Sequence, residues 1–353
     1  MTFFDNLGDW ESIFKNEDAL DLDWVPKLMP FREQQQFHIA NCINPLLQGR
    51  NGRNLFIYGA PGVGKTSATR WVLRDLEETS ENIYIIYLNC WQKNTSYKII
   101  VEICYQLGYR FTQNKNTEEL FDIIKNMVNK KAAVFVFDEI DKIEDFDFLY
   151  SILNDIYKKS VLLVTNYKSF LDELEERIKS RLIPEIVEFQ EYNNQETRDI
   201  LKQRCDFAFH ENIWDDEAFN LIVQKSAELK DIRSGLFLLR EAGLAAEELS
   251  SRKIKTEHAD KAIQKVKDFT IKNPDELEDD TKLILDIVKN NTGQRIGDLF
   301  KVYKEKGGIG IYKTFQRRIE KLEKAKFITT NRIIGGKEGN TTIINYEKKL
   351  TEF

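Results

Sequence analysis

The sequence is poor in the residues that build disulfide frameworks and zinc sites. Its 353 residues include four cysteines, which stand far apart, and three histidines. No two cysteines form a C-x-x-C pair, so neither a disulfide-rich secreted fold nor a zinc site is expected. Separated cysteines of this kind are typical of buried thiols in a reducing, cytoplasmic compartment.

Long apolar segments are missing as well. No run of about eighteen apolar residues occurs, so no membrane-spanning helix is expected. Residues 1–10 are acidic and aromatic and lack the basic-then-apolar order of a signal peptide. A chain of this length, 42% hydrophobic and 31% charged, is predicted to form two or three globular domains.

The charge is negative overall but unevenly distributed. The net charge is −6, yet residues 280–353 hold 16 Lys and Arg against 9 Asp and Glu. The preceding residues therefore hold 36 basic and 49 acidic side chains. This asymmetry predicts a basic module joined to an acidic one, and the basic module is the candidate for contact with a phosphate backbone.

A glycine-rich segment has the pattern of a phosphate-binding loop. It reads Gly59-Ala-Pro-Gly-Val-Gly-Lys-Thr66, follows the apolar run 55–58 and precedes a helical pattern. This context matches G-x-x-x-x-G-K-[ST], in which backbone N–H groups and a helix dipole hold phosphate. Lys65 would contact the β- and γ-phosphates of ATP, and the Thr66 hydroxyl would bind Mg²⁺. The predicted nucleotide ligands in this loop are Pro61, Gly62, Val63, Gly64, Lys65, Thr66 and Ser67.

Polar residues after two later apolar runs predict the rest of the site. Asp138 and Glu139 follow the run 133–137, and Asn166 follows the run 161–165. Ligands of open α/β sheets lie at the carboxyl ends of the strands, so we expect these side chains beside the phosphate loop. Asp138 would hold Mg²⁺, and Glu139 would polarise the water that attacks the γ-phosphate. Asn166 would bind the phosphate or the water if its strand neighbours that of Asp138.

The order of predicted elements indicates three domains. Residues 1–192 alternate apolar runs with helical patterns, including one helix over 169–180, which predicts an α/β core with a parallel five-stranded sheet. Residues 193–273 show four helical patterns and no strand signal, which predicts an all-helical domain. The acidic segment 273–280 has the composition of a linker. Residues 274–353 show three helical patterns and a glycine-tipped hairpin, the layout of a winged helix-turn-helix, an α+β domain.

The last predicted helix, 311–326, is the candidate DNA-contacting element. Phe315, Ile319 and Leu322 recur on one face, which must pack inward. The opposite face is mostly basic and is interrupted by Glu320, and a solvated charged face is the alternative interpretation. The predicted DNA contacts are Lys313, Thr314, Gln316, Arg317, Arg318 and Lys321 on this helix and Lys337 in the hairpin.

The chain resembles the AAA+ ATPases and, among them, the archaeal and eukaryotic origin-recognition and helicase-loader family. The resemblance covers nearly the whole chain, and the phosphate loop with Asp-Glu is its least specific part. Seven features in a fixed order carry it: Pro30-Phe-Arg-Glu33, Asn89-Cys90, Asp138-Glu-Ile-Asp141, Thr165-Asn166, Ile178-Lys-Ser-Arg-Leu182, Asp231-Ile-Arg233 and the carboxyl-terminal winged helix. In this family the helical domain is a lid over the nucleotide.

The resemblance implies catalytic roles for three more side chains. Asn166 is similar to sensor 1, and Arg233 is similar to sensor 2, a lid arginine that touches the γ-phosphate and distinguishes ATP from ADP. Arg181 resembles an arginine finger that serves the site of a neighbouring subunit, with Arg177 as the competing candidate. Family members often have Pro-Arg-Val where this chain has Glu175-Glu-Arg-Ile178, so the choice between the two arginines stays open.

The resemblance also implies binding surfaces. Arg32 and Glu33 would lie near the adenine, and segment 109–116 is where an inserted helical element would touch DNA. The hairpin 335–341 carries one lysine where relatives tend to be richer in arginine, which makes the helix the more secure DNA contact.

The function implied is that of an ATP-dependent replication initiator with slow ATP hydrolysis as a switch. It would act on chromosomal double-stranded origin DNA with a replicative helicase or other initiator subunits, self-associate through Arg181, and use no membrane. Two alternatives remain open at this point. One is a winged-helix transcription regulator or scaffold that holds ATP or ADP as a structural ligand, and the other is a transposition or defence ATPase.

Overall fold

The computed structural model divides the chain into two units, residues 1–264 and 265–353. It describes residues 12–22, 24, 29–270, 279–308, 310–324, 328–336 and 339–346. The first unit contains the predicted α/β core together with most of the predicted helical domain, and the second contains the basic module. No helix in these described ranges is long and apolar enough to cross a membrane.

The apolar runs of the first unit form one five-stranded sheet. Its strands are β1 (Leu55–Gly59), β2 (Ile83–Asn89), β3 (Ala132–Asp138), β4 (Lys159–Thr165) and β5 (Glu185–Phe189). All neighbouring strands are parallel, in the order β2-β3-β4-β1-β5. β1, β3 and β4 are buried along their whole length, as continuous apolar runs require. The neighbourhood expected for Asn166 is confirmed, because β4 pairs directly with β3.

Helices cover both faces of this sheet. They are α1 (Glu33–Leu47), α2 (Lys65–Thr79), α3 (Ser96–Gln106), α4 (Thr117–Val128), α5 (Asp147–Asp155), α6 (Phe170–Glu173) and α7 (Glu176–Leu182). α1 and α2 share one apolar core with the sheet, whereas α3 to α7 share the other. α4 begins with a capping box in which Asn116 accepts from the backbone N–H of Glu119 at 2.8 Å and Glu119 accepts from that of Asn116 at 3.0 Å.

The single helix predicted over 169–180 is wrong. The segment forms two short helices, α6 and α7, separated by two extended residues, Leu174 and Glu175, of which Leu174 is buried. Four carboxylates occupy five positions from Asp172 to Glu176, and like charges three or four residues apart destabilise a continuous helix. The break therefore relieves repulsion while Leu174 still reaches the core.

Four longer helices follow β5, and the last of them continues past residue 264, where the first unit ends. They are α8 (Asn194–Ala208), α9 (Asp216–Leu229), α10 (Ile232–Glu248) and α11 (Thr256–Thr270). The amino-terminal residues 12–22 and 24 are attached to them, because the buried Arg204 of α8 donates to the carbonyl oxygens of Ala19 at 2.9 Å and Trp24 at 3.1 Å. These residues consequently belong structurally to the helical part of the unit.

The second unit has the predicted three helices and hairpin. Its elements are α12 (Asp279–Asn290), β6 (Gln294–Arg295), α13 (Ile296–Glu305), α14 (Tyr312–Lys324), β7 (Ile328–Gly336) and β8 (Gly339–Tyr346). The three strands form an antiparallel sheet in the order β6-β8-β7, and β6 is too short to leave a pattern in the sequence. The predicted linker ends earlier than expected, since α12 begins at Asp279, while its residues 273–278 lie outside the described ranges.

Candidate nucleotide site

A cavity of about 320 Å³ lies where the carboxyl ends of the strands meet the long helices of the same unit. It is lined by the phosphate loop, by residues that directly follow β2, β3 and β4 or end them, and by α8 and the start of α10. Of the predicted site residues, it brings together Pro61, Gly62, Gly64, Lys65, Thr66, Ser67, Asp138, Glu139, Asn166 and Arg233. Those residues come from four separate parts of the chain: the phosphate loop, the ends of β3 and β4, and the start of α10. The parallel direction of the strands places the first three at one edge of the sheet.

The phosphate loop depends on glycine at two positions. Gly62 has φ of 77° and Gly64 has φ of 88°, values in the left-handed region that side chains with a Cβ avoid. At Gly62 an added Cβ would lie 2.0 Å from the Asp231 carboxylate and 3.1 Å from the Asp231 Cα, so no side chain fits. Glycine here lets the start of α10 approach the loop closely.

Lys65 is buried and held by three acceptors. Its Nζ donates to the carbonyl oxygens of Gly59 and Ala60 and to Asn166 Oδ1, each at 2.8 Å. Burial lowers the pKa of Lys65 to about 8, with Arg233 adding to the decrease and Asp138 opposing it. These three acceptors are neutral, and a bound phosphate group would give the ammonium a negatively charged partner.

Asp138 and Thr66 form a pair of oxygen donors that fits Mg²⁺. The Thr66 hydroxyl donates to Asp138 Oδ2 at 2.6 Å, and the backbone N–H of Glu139 donates to Asp138 Oδ1 at 3.0 Å. Hard oxygen ligands of this kind, one carboxylate beside a phosphate loop, are how proteins hold Mg²⁺ together with substrate phosphates. The residues present therefore suit the ion.

Glu139 occupies an unusual backbone conformation at the end of β3. Its φ of 55° and ψ of 43° lie in the left-handed region, which is uncommon for a residue other than glycine and is enriched at functional sites. Burial raises the pKa of the Glu139 carboxyl, and Asp138 and Asp141 raise it further. A carboxylate with a raised pKa is a better acceptor for a proton from water.

Arg233 lines the cavity with its charge already paired. Its guanidinium donates to Asp231 through Nε at 3.0 Å and Nη2 at 2.7 Å, and the Asp231 side chain also accepts from the backbone N–H of Arg233. Asp231 therefore caps α10 and serves as the counter-ion of Arg233 at once. This pairing was not foreseen from the sequence.

Several predicted residues lie outside the cavity lining. Val63 is buried, and its carbonyl accepts from Arg32 Nε at 3.0 Å. Arg32 is also buried, with its guanidinium 3.9 Å from the Tyr192 ring centroid, so it fastens the loop to the segment after β5. Neither Arg32 nor Glu33 lines the cavity, whereas Pro30 does.

The two arginine-finger candidates lie exposed on α7, and neither lines the cavity. Both guanidiniums stack on Tyr150, at 5.1 Å for Arg177 and 5.2 Å for Arg181. They differ in their ion pairs. Arg177 is paired with Glu175 and Asp147, whereas Arg181 has no ion pair within the described part of the chain.

Among the side chains that line the cavity, sequence reasoning missed four polar ones. Gln203 and Arg204 come from α8, Arg70 from α2, and Tyr192 from the segment after β5. The i, i+3 and i+4 spacing of Ile200, Gln203 and Arg204 would have indicated a shared helix face. No signal in the sequence indicates that this face lines the cavity.

A second group of potential metal ligands lies at the opposite edge of the sheet. His38, Cys42 and Glu185 place their ligand atoms within 4.8 Å of one another. Glu185 already accepts from His38 at 2.6 Å and from Arg53 at 2.5 Å, so its charge is met without a metal. All four cysteines are buried and free, which confirms the prediction of structural thiols.

α14 presents part of the predicted basic face. Phe315, Ile319 and Leu322 are buried, as the spacing predicted. Lys313 and Arg317 are exposed, and Thr314, Gln316 and Arg318 are half-buried. The side chain of Lys321, and Lys337 as a whole, lie outside the described residues.

The segment 109–116 is not helical. It runs as an irregular turn between α3 and α4, so the inserted helical element expected there is absent, and the two flanking helices occupy the place between β2 and β3 instead. Phe111, at its tip, is 80% exposed.

Comparison with known proteins gives a consistent picture. Residues 48–172 match the family model described as an AAA domain, and residues 198–264 match the Cdc6 AAA+ ATPase-type lid domain. The chain is 32% identical to ORC1-type DNA replication protein 1 of Sulfurisphaera tokodaii, covering 94% of this chain and 90% of the relative.

Solved structures agree with this. The Aeropyrum pernix ORC1 protein in complex with DNA superposes with a TM-score of 0.76 at 26% identity, covering 96% of this chain and 95% of that one. The Aeropyrum pernix ORC2 protein in its ADPNP-ADP complexes gives a TM-score of 0.65 at 16% identity over 94% of each chain, a likeness of fold alone.

Proposed function

The chain belongs to the family of ORC1-type DNA replication proteins, and from this premise we propose that it is a replication initiator whose hold on double-stranded DNA is switched by nucleotide in the first unit. One observation carries the proposal. Lys65, Asp138, Glu139, Asn166 and Arg233 line a single cavity beside the phosphate loop. A scaffold that held nucleotide as a structural ligand would need the lysine, but it would not need the other four side chains.

The chain's residues divide the work of ATP hydrolysis. Lys65 and the loop N–H groups bind the phosphates, Glu139 orients and polarises the attacking water, and Asn166 holds Lys65 and reaches toward the γ-phosphate. Thr66 and Asp138 would hold Mg²⁺, which when bound neutralises charge on the phosphates.

The switch operates through Arg233. In the described structure its guanidinium is paired with Asp231. A γ-phosphate entering the cavity offers more negative charge than one carboxylate, so the arginine exchanges partners and draws the start of α10 with it. ADP lacks that phosphate and leaves the pair intact.

We infer that hydrolysis is slow in the isolated subunit because neither finger candidate on α7, Arg177 or Arg181, lines the cavity. Arg181 is the better candidate to act on a neighbouring subunit, since its charge is unpaired within the described residues while Arg177 is held by two carboxylates. An arginine suits this task because its planar fork contacts two phosphate oxygens. The neighbouring subunit would be a second copy or another initiator protein, and the replicative helicase is the expected downstream partner.

The second unit is a winged helix that holds duplex DNA. Its helix–strand–helix–helix–hairpin order has that layout, and the exposed Lys313 and Arg317 on α14 would contact the DNA backbone. Thr314, Gln316 and Arg318 at its amino-terminal half would face base edges, with Lys321 and Lys337 as further contacts.

Glu139→Gln with genomic footprinting tests the whole proposal. The variant should bind ATP normally, lose turnover by at least about a hundredfold, and keep its ATP-dependent footprint at a few origin sites. Glu173→Gln, which neutralises an exposed carboxylate on α6, is the matched control and should behave like the unaltered protein.

Two outcomes contradict parts of this proposal. Normal turnover in Glu139→Gln would remove Glu139 from its role. A footprint spread over many unrelated sites, or unaffected by nucleotide, would favour the transposition or defence ATPase and the regulator that holds nucleotide structurally.

A further inference from the structure

Tyr87, for which no role was predicted from the sequence, contacts the side chain of Asp138, the proposed Mg²⁺ ligand. It lies on β2, two positions before Asn89, which pairs in register with Asp138. The Tyr87 hydroxyl donates to Asp138 Oδ2 at 2.5 Å, the same oxygen that accepts from Thr66. With the Glu139 N–H on Oδ1, the Asp138 carboxylate has a donor on each oxygen and cannot rotate freely.

Contacts from Gln106 and Arg70 hold Tyr87 in place, the first on its backbone and the second on its ring. β2 is the outermost strand of the sheet, so the outward backbone groups of Tyr87 have no strand partner. The Gln106 side-chain amide replaces that partner, accepting from the Tyr87 N–H at 3.2 Å and donating to the Tyr87 carbonyl oxygen at 2.9 Å. The Arg70 guanidinium lies 4.8 Å from the Tyr87 ring centroid.

We infer that Tyr87 is a positioning residue for Asp138. By orienting this carboxylate, Tyr87 sets the Mg²⁺ affinity of the nucleotide site and makes that affinity depend on the position of α3. Gln106 is the last residue of α3, and the chain continues from it into the exposed 109–116 turn. A movement of that turn would reach the metal carboxylate through Gln106 and Tyr87 without involving Arg233. The inference rests on the proposed function in that Asp138 must hold Mg²⁺ with nucleotide.

The magnitude follows from the behaviour of groups that orient metal ligands. Such hydrogen-bond partners fix the ligand's direction, and losing one typically weakens metal binding by about 10-fold to 100-fold. One of the three donors on Asp138 would be lost here, so the lower end of that range applies.

Tyr87→Phe removes the hydroxyl and keeps the ring. The affinity of a fluorescent ADP analogue is measured at increasing Mg²⁺ concentrations. The readout is the Mg²⁺ midpoint, the concentration at which half of the Mg²⁺-dependent increase in affinity is reached, and it involves no turnover. We expect that concentration to rise about tenfold, whereas ADP binding in EDTA and the thermal unfolding midpoint stay unchanged. Tyr84→Phe is the matched control, because Tyr84 lies on the same strand and its ring faces Lys131 at 5.4 Å instead.

Gln106→Ala tests the second half of the inference. It should shift the Mg²⁺ midpoint in the same direction by a smaller factor, since Tyr87 keeps its hydroxyl but loses two backbone anchors. An unchanged midpoint in Gln106→Ala would overturn the link to α3.

An unchanged midpoint in Tyr87→Phe, or an equal shift in Tyr84→Phe, would overturn the positioning role. In either case the unaltered protein would still bind ADP more tightly with Mg²⁺. If the unaltered protein showed no such Mg²⁺ effect, the proposed function would fail with the inference.

Discussion

The nucleotide cavity and the exposed face of α14 both rely on basic side chains, but they hold them in opposite ways. In the cavity, Lys65 is buried with three acceptors, and Arg233 is paired with a carboxylate. On α14, Lys313 and Arg317 face solvent. A charge removed from the cavity leaves desolvated partners behind, whereas water and salt replace a charge removed from α14. Substitutions should therefore have large effects in the first region and small, salt-dependent effects in the second.

Lys65→Ala should have the largest effect. It removes the one ammonium inside the loop and leaves Asn166 Oδ1 and two carbonyl oxygens without their donor. We expect nucleotide affinity to fall by about 3 kcal/mol, which is more than a hundredfold, in isothermal titration with ADP and Mg²⁺.

Lys131→Ala is the control for charge alone, because this exposed lysine precedes β3 at the other edge of the sheet. Undiminished nucleotide uptake in Lys65→Ala would mean that the cavity is not the nucleotide site.

The pH dependence of ADP affinity should sharpen the same contrast. Free Lys65 has a pKa lowered to about 8, and a bound phosphate raises it again, so binding above that pH requires uptake of a proton. Affinity measured in EDTA should be constant between about pH 7 and about pH 8, where the terminal phosphate is ionised, and then fall about tenfold per pH unit. In Lys65→Arg the decline should disappear, since a guanidinium stays protonated. A flat profile in the unaltered protein would show that Lys65 is fully charged before nucleotide binds.

The sequence predicted those parts of the cavity that local pattern determines. The phosphate loop, Asp138, Glu139 and Asn166 each follow an apolar run, and parallel sheets place such positions at one edge whatever the strand order. The bounds of β1, β3 and β4 were close because fully buried strands leave unbroken apolar runs.

Residues whose role depends on register or on another element were not predictable. Tyr87 reaches Asp138 only because β2 and β3 pair with Asn89 opposite Asp138, and no local pattern in the sequence indicates that register. Asp231 meets Gly62 only because α10 starts against the loop. The predicted adenine contact of Arg32 followed from resemblance, whereas burial between Val63 and Tyr192 gives this arginine a structural task.

Asp231→Asn should have an intermediate effect of opposite sign. Asparagine caps a helix as well as aspartate does, so α10 keeps its start while Arg233 loses its counter-ion. We expect ATP affinity to increase about threefold to tenfold, because Arg233 no longer has to break an ion pair before it contacts the γ-phosphate. Asp215→Asn, which removes the same charge at the start of α9, should leave ATP affinity unchanged. Weaker ATP binding in Asp231→Asn would mean that the carboxylate orients Arg233 rather than restraining it.

Arg317→Ala should have the smallest effect and the strongest dependence on salt. An exposed arginine that contacts one DNA phosphate contributes little at moderate ionic strength, so duplex affinity should fall less than about tenfold, by a similar factor for different sequences. The slope of log affinity against log salt should become shallower by about one ion.

Arg74→Ala, which removes an exposed arginine of α2 paired with Glu78, is the matched control and should leave the slope unchanged. An unaltered slope in Arg317→Ala would remove this residue from the DNA contacts. ADP affinity should be equal in both variants and the unaltered protein, since neither arginine lines the cavity, and a change there in Arg317→Ala would break the contrast between the two regions.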